Sequence, residues 1–288
     1  MRLDVEVAVD GRALIAEGPV WDCGTATLLW VDILRREIHR YSPAQERDTM
    51  TRLPVTVGAV VPRRAGGLVA AAGLGVAIVD ETKATLTWLG HADKGDRMND
   101  ARCDPVGRLW AGTLTVAQTR GAAGLYRLDA GHLTRVLDDV ALSNGLGWSP
   151  DGETLYYVDT PTERVDAFDY DRATGECHNR RPFVDLSDVP GRPDGFTVDA
   201  EGGIWVAMAR GGAVRRYGSN GALEEVIEID TPGVTCCGFG GEGLRELYVS
   251  TMCVGLSEAD LVDDPLAGAL LCIRDVGVAG QPVNEYAG

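Results

Sequence analysis

The chain has 288 residues, 43 of them acidic and 27 basic, and a net charge of −16. Lysine occurs only as Lys83 and Lys94, and no basic stripe is present that could neutralise phosphates, so no nucleic-acid partner is expected. The opening Met-Arg-Leu-Asp-Val carries no apolar signal region, and no window approaches the ~18 apolar residues of a membrane span. The expectation is therefore a soluble cytoplasmic protein without a membrane partner. Its seven cysteines form no CxxC pair, and their odd number predicts free thiols in a reducing compartment.

One phrase recurs six times along the chain, starting at Glu17-Gly18, Val57-Gly58, Asn99-Asp100, Asn144-Gly145, Asp194-Gly195 and Cys237-Gly238. Each pair opens an apolar strand, and a polar turn such as Asp104-Pro105-Val106-Gly107, Ser149-Pro150-Asp151-Gly152 or Asp199-Ala200-Glu201-Gly202 follows. Such Gly-containing turns between β-rich runs read as hairpins. Second strands are predicted over 28–33, 67–72, 108–113, 154–159, 203–207 and 246–251, with Trp30, Trp110, Trp205 and Tyr248 at nearly equivalent places. Third strands are predicted over 37–41, 76–80, 124–128, 164–170, 213–217 and 268–273. Fourth strands are weaker, the clearest being 133–137 and 223–229.

Repeats separated by 40 to 50 residues indicate propeller blades or a solenoid. Four short strands per repeat and no sustained helical stripe favour an all-β, six-bladed β-propeller over residues 1–288, read as one domain. The sixth repeat lacks a clear fourth strand, whereas Arg2–Val9 alternates like a strand with no blade of its own. Pairing that N-terminal strand into the last blade would close the ring and remove two open edges.

Several chemistries are missing. The four histidines have no zinc-site spacing, GxSxG and GxxxxGK[ST] are absent, and Gly238-Phe239-Gly240-Gly241-Glu242-Gly243 sits between strands, where it reads as a turn. Cys236-Cys237 reads as small residues filling a strand.

What remains is a set of oxygen-bearing side chains. Glu17, Asn99, Asn144 and Asp194 stand at the entrances of first strands in four repeats, six or seven residues before the hairpins. In a propeller those entrances rim one end of the central channel. Carboxylates facing each other there are costly unless a cation or proton neutralises them. Hard oxygen donors suit Ca2+, Mg2+, Mn2+ or a borderline divalent ion, and a set open on one side leaves room for water or substrate.

Ala16-Glu17-Gly18-Pro19-Val20-Trp21, Arg97-Met98-Asn99-Asp100, Ser143-Asn144-Gly145-Leu146 and Arg192-Pro193-Asp194-Gly195 resemble the motifs of the regucalcin/gluconolactonase (senescence marker protein) family. The segments Val165–Tyr170 and Tyr286-Ala287-Gly288 strengthen the resemblance, which spans the chain. It implies a propeller that binds one divalent metal and opens sugar lactones to aldonic acids by a metal-activated water. It also implies Glu17, Asn144 and Asp194 as metal ligands, with Arg97 and Asn99 contacting substrate. The ion is left open among Ca2+, Zn2+, Mn2+, Mg2+ and Fe2+.

Within that scheme Asp194 has a spare oxygen and is the candidate base, and the planar fork of Arg97 suits sugar hydroxyls or a developing oxyanion. The stretch from Leu114 to Leu128 contains no Asp or Glu, unlike the acidic loop of animal members, so their sugar preference does not transfer. The main alternative is a Ca2+-binding regulatory protein of the regucalcin type. An interaction propeller would leave the Glu/Asn/Asn/Asp set unexplained.

Overall fold

The computed structural model describes residues 4–288. The first strand, β1 (Val5–Val9), precedes six runs of strands. Blade one comprises β2 (Ala16–Asp22), β3 (Thr27–Asp32), β4 (Glu37–Ser42) and β5 (Arg47–Arg52). Blade two comprises β6 (Val57–Pro62), β7 (Leu68–Ala72), β8 (Gly75–Asp80) and β9 (Thr85–His91). Blade three comprises β10 (Arg97–Cys103), β11 (Leu109–Leu114), β12 (Ala123–Asp129) and β13 (His132–Val140). Blade four comprises β14 (Ser143–Trp148), β15 (Thr154–Asp159), β16 (Arg164–Asp171) and β17 (Glu176–Asp185). Blade five comprises β18 (Arg192–Val198), β19 (Ile204–Ala209), β20 (Ala213–Tyr217) and β21 (Leu223–Glu228). Last come β22 (Val234–Gly240), β23 (Glu246–Thr251), the short helix α1 (Glu258–Asp263) and β24 (Leu270–Arg274).

Each run is an antiparallel four-stranded sheet, and β1 completes the sixth in the order β1-β24-β23-β22. The predicted closure is therefore present, through Val5 opposite Ile273 and Val7 opposite Leu271. Arg2 and Leu3 of the predicted strand lie outside the described residues. First strands contact one another in sequence, β2 with β6, β10, β14, β18, β22 and back to β2. That closed cycle makes the six sheets a β-propeller, with the first strands around its axis.

Burial falls from the axis outward, and this explains which strands the sequence reveals. β2 and β3 are buried throughout, whereas β5 and β17 are mostly exposed. An outer strand needs only one covered face, so its sequence is polar and its signal weak. Fourth strands accordingly exist at Arg47–Arg52, Thr85–His91 and Glu176–Asp185, where the sequence gives little sign of them. The predicted aromatics Trp30, Trp110, Trp205 and Tyr248 are fully buried and sit between blades. Trp110 packs edge-on to Trp148 of blade four, Trp205 to Phe239 of blade six, and Tyr248 stacks with Trp21 of blade one.

Most glycines at the strand entrances serve close approach. Gly58 has no unusual φ; a Cβ there would collide with the Asn99 carbonyl of the next blade. Only Gly18 of the six pairs has a left-handed backbone, at φ 55°. Beyond β24 the C-terminal segment crosses one mouth of the channel. It is held by Gly280 N to Leu244 O (2.8 Å), Tyr286 N to Pro62 O (2.9 Å) and Ala287 N to Gly107 O (2.9 Å).

Candidate active site

All six first strands carry a break in their pairing with the second strand at the same level. It falls between Glu17 and Val20, Val57 and Ala59, Met98 and Ala101, Ser143 and Leu146, Pro193 and Phe196, and Val234 and Cys236. Bulges re-aim side chains and free backbone groups, and they recur beside active sites. The sequence sets the sixth repeat at Cys237-Gly238, whereas the structure sets its bulge at Thr235. Thr235 Oγ1 donates to Ala16 O across the ring closure (2.6 Å). A glycine three positions further on, after a cysteine pair, imitates the repeat and hides the true register.

The four predicted oxygen-bearing residues do come together at the channel mouth opposite the C-terminal segment. Arg97 Nη1 donates to Asn99 Oδ1 (2.7 Å) and to Met98 O (2.9 Å). Asn99 Nδ2 donates to Asn144 Oδ1 (2.7 Å) and to Ser143 O (2.8 Å). Asn144 Nδ2 donates to Thr160 Oγ1 (2.7 Å), which donates to Pro193 O (2.8 Å). A guanidinium that can only donate stands at one end of this relay and a carbonyl that can only accept at the other. Every amide between them is thereby oriented, and Asn144 is locked with its oxygen towards Asn99.

The carboxylates are treated differently. Glu17 is 7% exposed and Asp100 4%. Glu17 Oε2 accepts the Gly18 N–H (2.9 Å) and Asp100 Oδ1 the Ala101 N–H (2.7 Å), while Asp100 Oδ2 is buried with no protein partner. Burial, then the charges of Asp194 and Asp100, push the Glu17 carboxyl well above the ordinary carboxylate range, against the Gly18 bond and Arg97. Burial and then Asp100 push Asp194 up to about 8. Burial also raises Asp100, opposed by Arg102. Burial lowers Arg97 from its usual value, with Glu17 and Asp194 acting to hold its proton.

Among the described residues, no three or more His, Cys, Asp or Glu side chains converge as a metal cage. The oxygen groups at this mouth include the carboxylates of Glu17 and Asp194 and the amide oxygen of Asn144, with the Asp100 carboxylate close enough to act on both acids. Mutually repelling, poorly compensated carboxylates beside a locked amide oxygen have the chemistry of a hard-cation site, so these residues fit a divalent ion. Asp100 and Thr160 belong to the same constellation and were not singled out from the sequence. Asp100 hides behind its neighbour Asn99 in one motif, and Thr160 enters from the far end of β15. Both amide hydrogens of Asn99 are committed, to Ser143 O and to Asn144 Oδ1.

The SMP-30/gluconolactonase/LRE-like region model matches residues 15–253. The chain belongs to that family. Its relatives include regucalcin from Danio rerio, 35% identical, with 99% of each chain covered. The putative sugar lactone lactonase YvrE of Bacillus subtilis is 34% identical, again over 99% of each chain. The crystal structure of regucalcin from Agrobacterium tumefaciens, described as a calcium-binding protein, superposes with a TM-score of 0.93. It is 30% identical, with 99% of this chain and 98% of that one covered. Family members thus carry both calcium-binding and lactonase names.

Proposed function

We propose that this family member is a divalent-metal-dependent hydrolase that opens sugar lactones to aldonic acids. The observation that carries the reading is the convergence of Glu17, Asp194 and the oriented Asn144 oxygen at one mouth, where Arg97 only partly offsets two carboxylates that burial and mutual repulsion leave poorly compensated. The lactonase name of the Bacillus relative supports the reaction class. Glu17, Asn144 and Asp194 would hold the ion, which supplies Lewis acidity that polarises a lactone carbonyl and acidifies water. Asp194, part-exposed at the mouth, takes the proton from the attacking water as the carbonyl carbon becomes tetrahedral. Arg97 spends Nη1 on Met98 and Asn99, leaving its other edge for sugar hydroxyls or the developing oxyanion. Asn99 keeps Asn144 aimed. The ring oxygen then leaves with a proton, giving the hydroxy acid.

The test is acid release from a panel of pentono- and hexonolactones, using protein stripped of metal and reloaded with Ca2+, Zn2+, Mn2+ or Mg2+. Turnover should vanish on stripping and return with one ion per chain. A saturating Ca2+ site with no turnover of any lactone would favour the regulatory reading instead. Arg97→Ala frees one end of the amide relay without removing a ligand, so it should weaken metal binding far less than Asn144→Ala does while losing turnover, whereas Asn144→Ala should damage both. Equal loss of metal in the two variants would remove Arg97 from the substrate role.

A further inference from the structure

The channel's other end is built from opposite materials. Beneath the C-terminal segment lies a cavity of about 300 Å³, at the lower bound of ordinary ligand pockets. Its apolar wall includes Val61, Leu146, Phe196 and Val198, and its polar groups include Arg102 and Trp148. Arg172 stands at the rim, and no Asp or Glu lines it, in a chain whose net charge is −16. Gln281 Nε2 donates to Trp148 O (3.2 Å) and Asn284 Nδ2 to Cys103 O (3.4 Å), which straps the segment across the opening.

Two donors there have no acceptor. Arg102 Nη2 and Trp148 Nε1 are both buried without a protein hydrogen-bond partner. An unpartnered buried donor is unfavourable, and an unpartnered guanidinium nitrogen more so. Asp100 lies two residues earlier on β10, and Arg102 is the first influence opposing its raised proton affinity, yet no direct bond joins them. A guanidinium with no side-chain hydrogen bond or ion pair among the described residues, in a lining of apolar groups without a carboxylate, describes a receptor for an acceptor group on an apolar body.

We propose that this cavity binds a small organic monocarboxylate, its carboxylate on Arg102 and its apolar body against Val61, Leu146, Phe196 and Val198. A guanidinium takes a carboxylate by two parallel hydrogen bonds, which a bare halide or a neutral alcohol cannot match. A polyhydroxylated sugar acid would lose the hydration of its hydroxyls against these walls, so the occupant is not the product formed at the opposite mouth. The proposal stands whether or not that mouth is a lactonase site.

Benzoate serves as the probe, with benzyl alcohol and inorganic phosphate as controls, and calorimetry as the readout. One benzoate per chain should bind saturably at millimolar concentration or below, with both controls at least tenfold weaker. Arg102→Gln should weaken benzoate at least tenfold, and Arg97→Ala should leave it unchanged. No saturable benzoate binding, equal binding of phosphate, or loss in Arg97→Ala with none in Arg102→Gln would overturn the proposal. Wild-type protein gives a check that needs no variant. Benzoate should shift the indole N–H resonance of Trp148 and leave that of Trp88 on β9 in place; the reverse pattern would refute the site.

Discussion

The molecule buries two populations of carboxylates, and they are satisfied in opposite ways. Towards the blade ends, Asp199 is fully buried and accepts from Gly203 N (2.8 Å), Glu201 N (2.9 Å), Trp205 Nε1 (2.9 Å) and Arg216 Nε (2.8 Å). Asp104 accepts three backbone N–H groups, the Tyr170 hydroxyl and Arg108. Asp32 takes Leu14 N (2.8 Å) and Arg35 N (3.1 Å). In the channel mouth, Glu17 and Asp100 have one backbone bond each and face further negative charge. Residue type and burial are alike, so neither identifies a functional acid. The supply of donors does. Where donors are plentiful the carboxylate ties blades together; where they are withheld, the group stays ready for a cation, a proton or a substrate.

The largest expected effect comes from removing the charge of a channel acid. Asp194→Asn keeps a coordinating oxygen but almost no basicity, so kcat at saturating metal should fall by about 10² to 10⁴. Metal occupancy, checked independently, should be recoverable at high concentration. A fully loaded variant at near wild-type rate would show that Asp194 only holds the ion.

The opposite population should break differently. Asp199→Ala leaves Arg216, which is 12% exposed, without its buried partner and strips bonds from Gly203 and Trp205. Global stability should drop by about 3 kcal/mol, while the folded fraction keeps its kcat and metal affinity. Thermal melting with and without metal measures this. A variant of wild-type stability would erase the distinction between the two groups.

Proton linkage sharpens the comparison further. Asp194 titrates at about 8 in the fold, against the ordinary carboxylate range in the unfolded chain. Between those values the unfolded chain has released the proton and the native state still holds it. Stability of metal-free protein should therefore decline as pH rises from about 4 through 8. A saturating divalent cation replaces the proton and should flatten the decline. Melting temperatures across that range, with chelator and with metal, would show two diverging curves; parallel curves would contradict the linkage.

The smallest effect has the most informative sign. Asp100→Asn retains an oxygen for Ala101 N and removes a charge that raises both Glu17 and Asp194. Metal-free protein should gain about 1 kcal/mol, the worth of one pKa unit or less. Destabilisation in the urea midpoint would place Asp100 with the structural carboxylates.

The part of this comparison that was legible in the sequence follows from periodicity. Glu17, Asn99, Asn144 and Asp194 recur at blade spacing, so the repeat alone brings them to one mouth. Closure by the N-terminal strand was readable because residues 5–9 alternate and the sixth repeat lacks an outer partner. Outer strands such as Arg47–Arg52 were faint because exposed positions obey no apolar pattern. Thr160 and Asp100 were missed because their roles depend on which strand ends meet across blades, which carries no local signal. The sixth register was lost because Cys237-Gly238 repeats the form of the motif without its geometry, while Thr235 makes the bulge. Arg102, two residues past Asp100 on the same strand, gave no sign of lining a second cavity.

The closing strand also has a temporal consequence. Residues 5–9 leave the ribosome about 260 residues before their partners 270–274. Blades one to five are local hairpins that can form as they emerge, but the sixth sheet stays two strands short until residues 270–274 have been made. Until then β23 presents a bare edge and β1 has nowhere to dock. Completion of the ring is thus the event of longest loop closure in the chain and belongs at the end of folding. A nascent chain arrested before residue 270 is an open ring with an unpaired end, which makes the interval before β24 emerges the period of greatest exposure to misassembly.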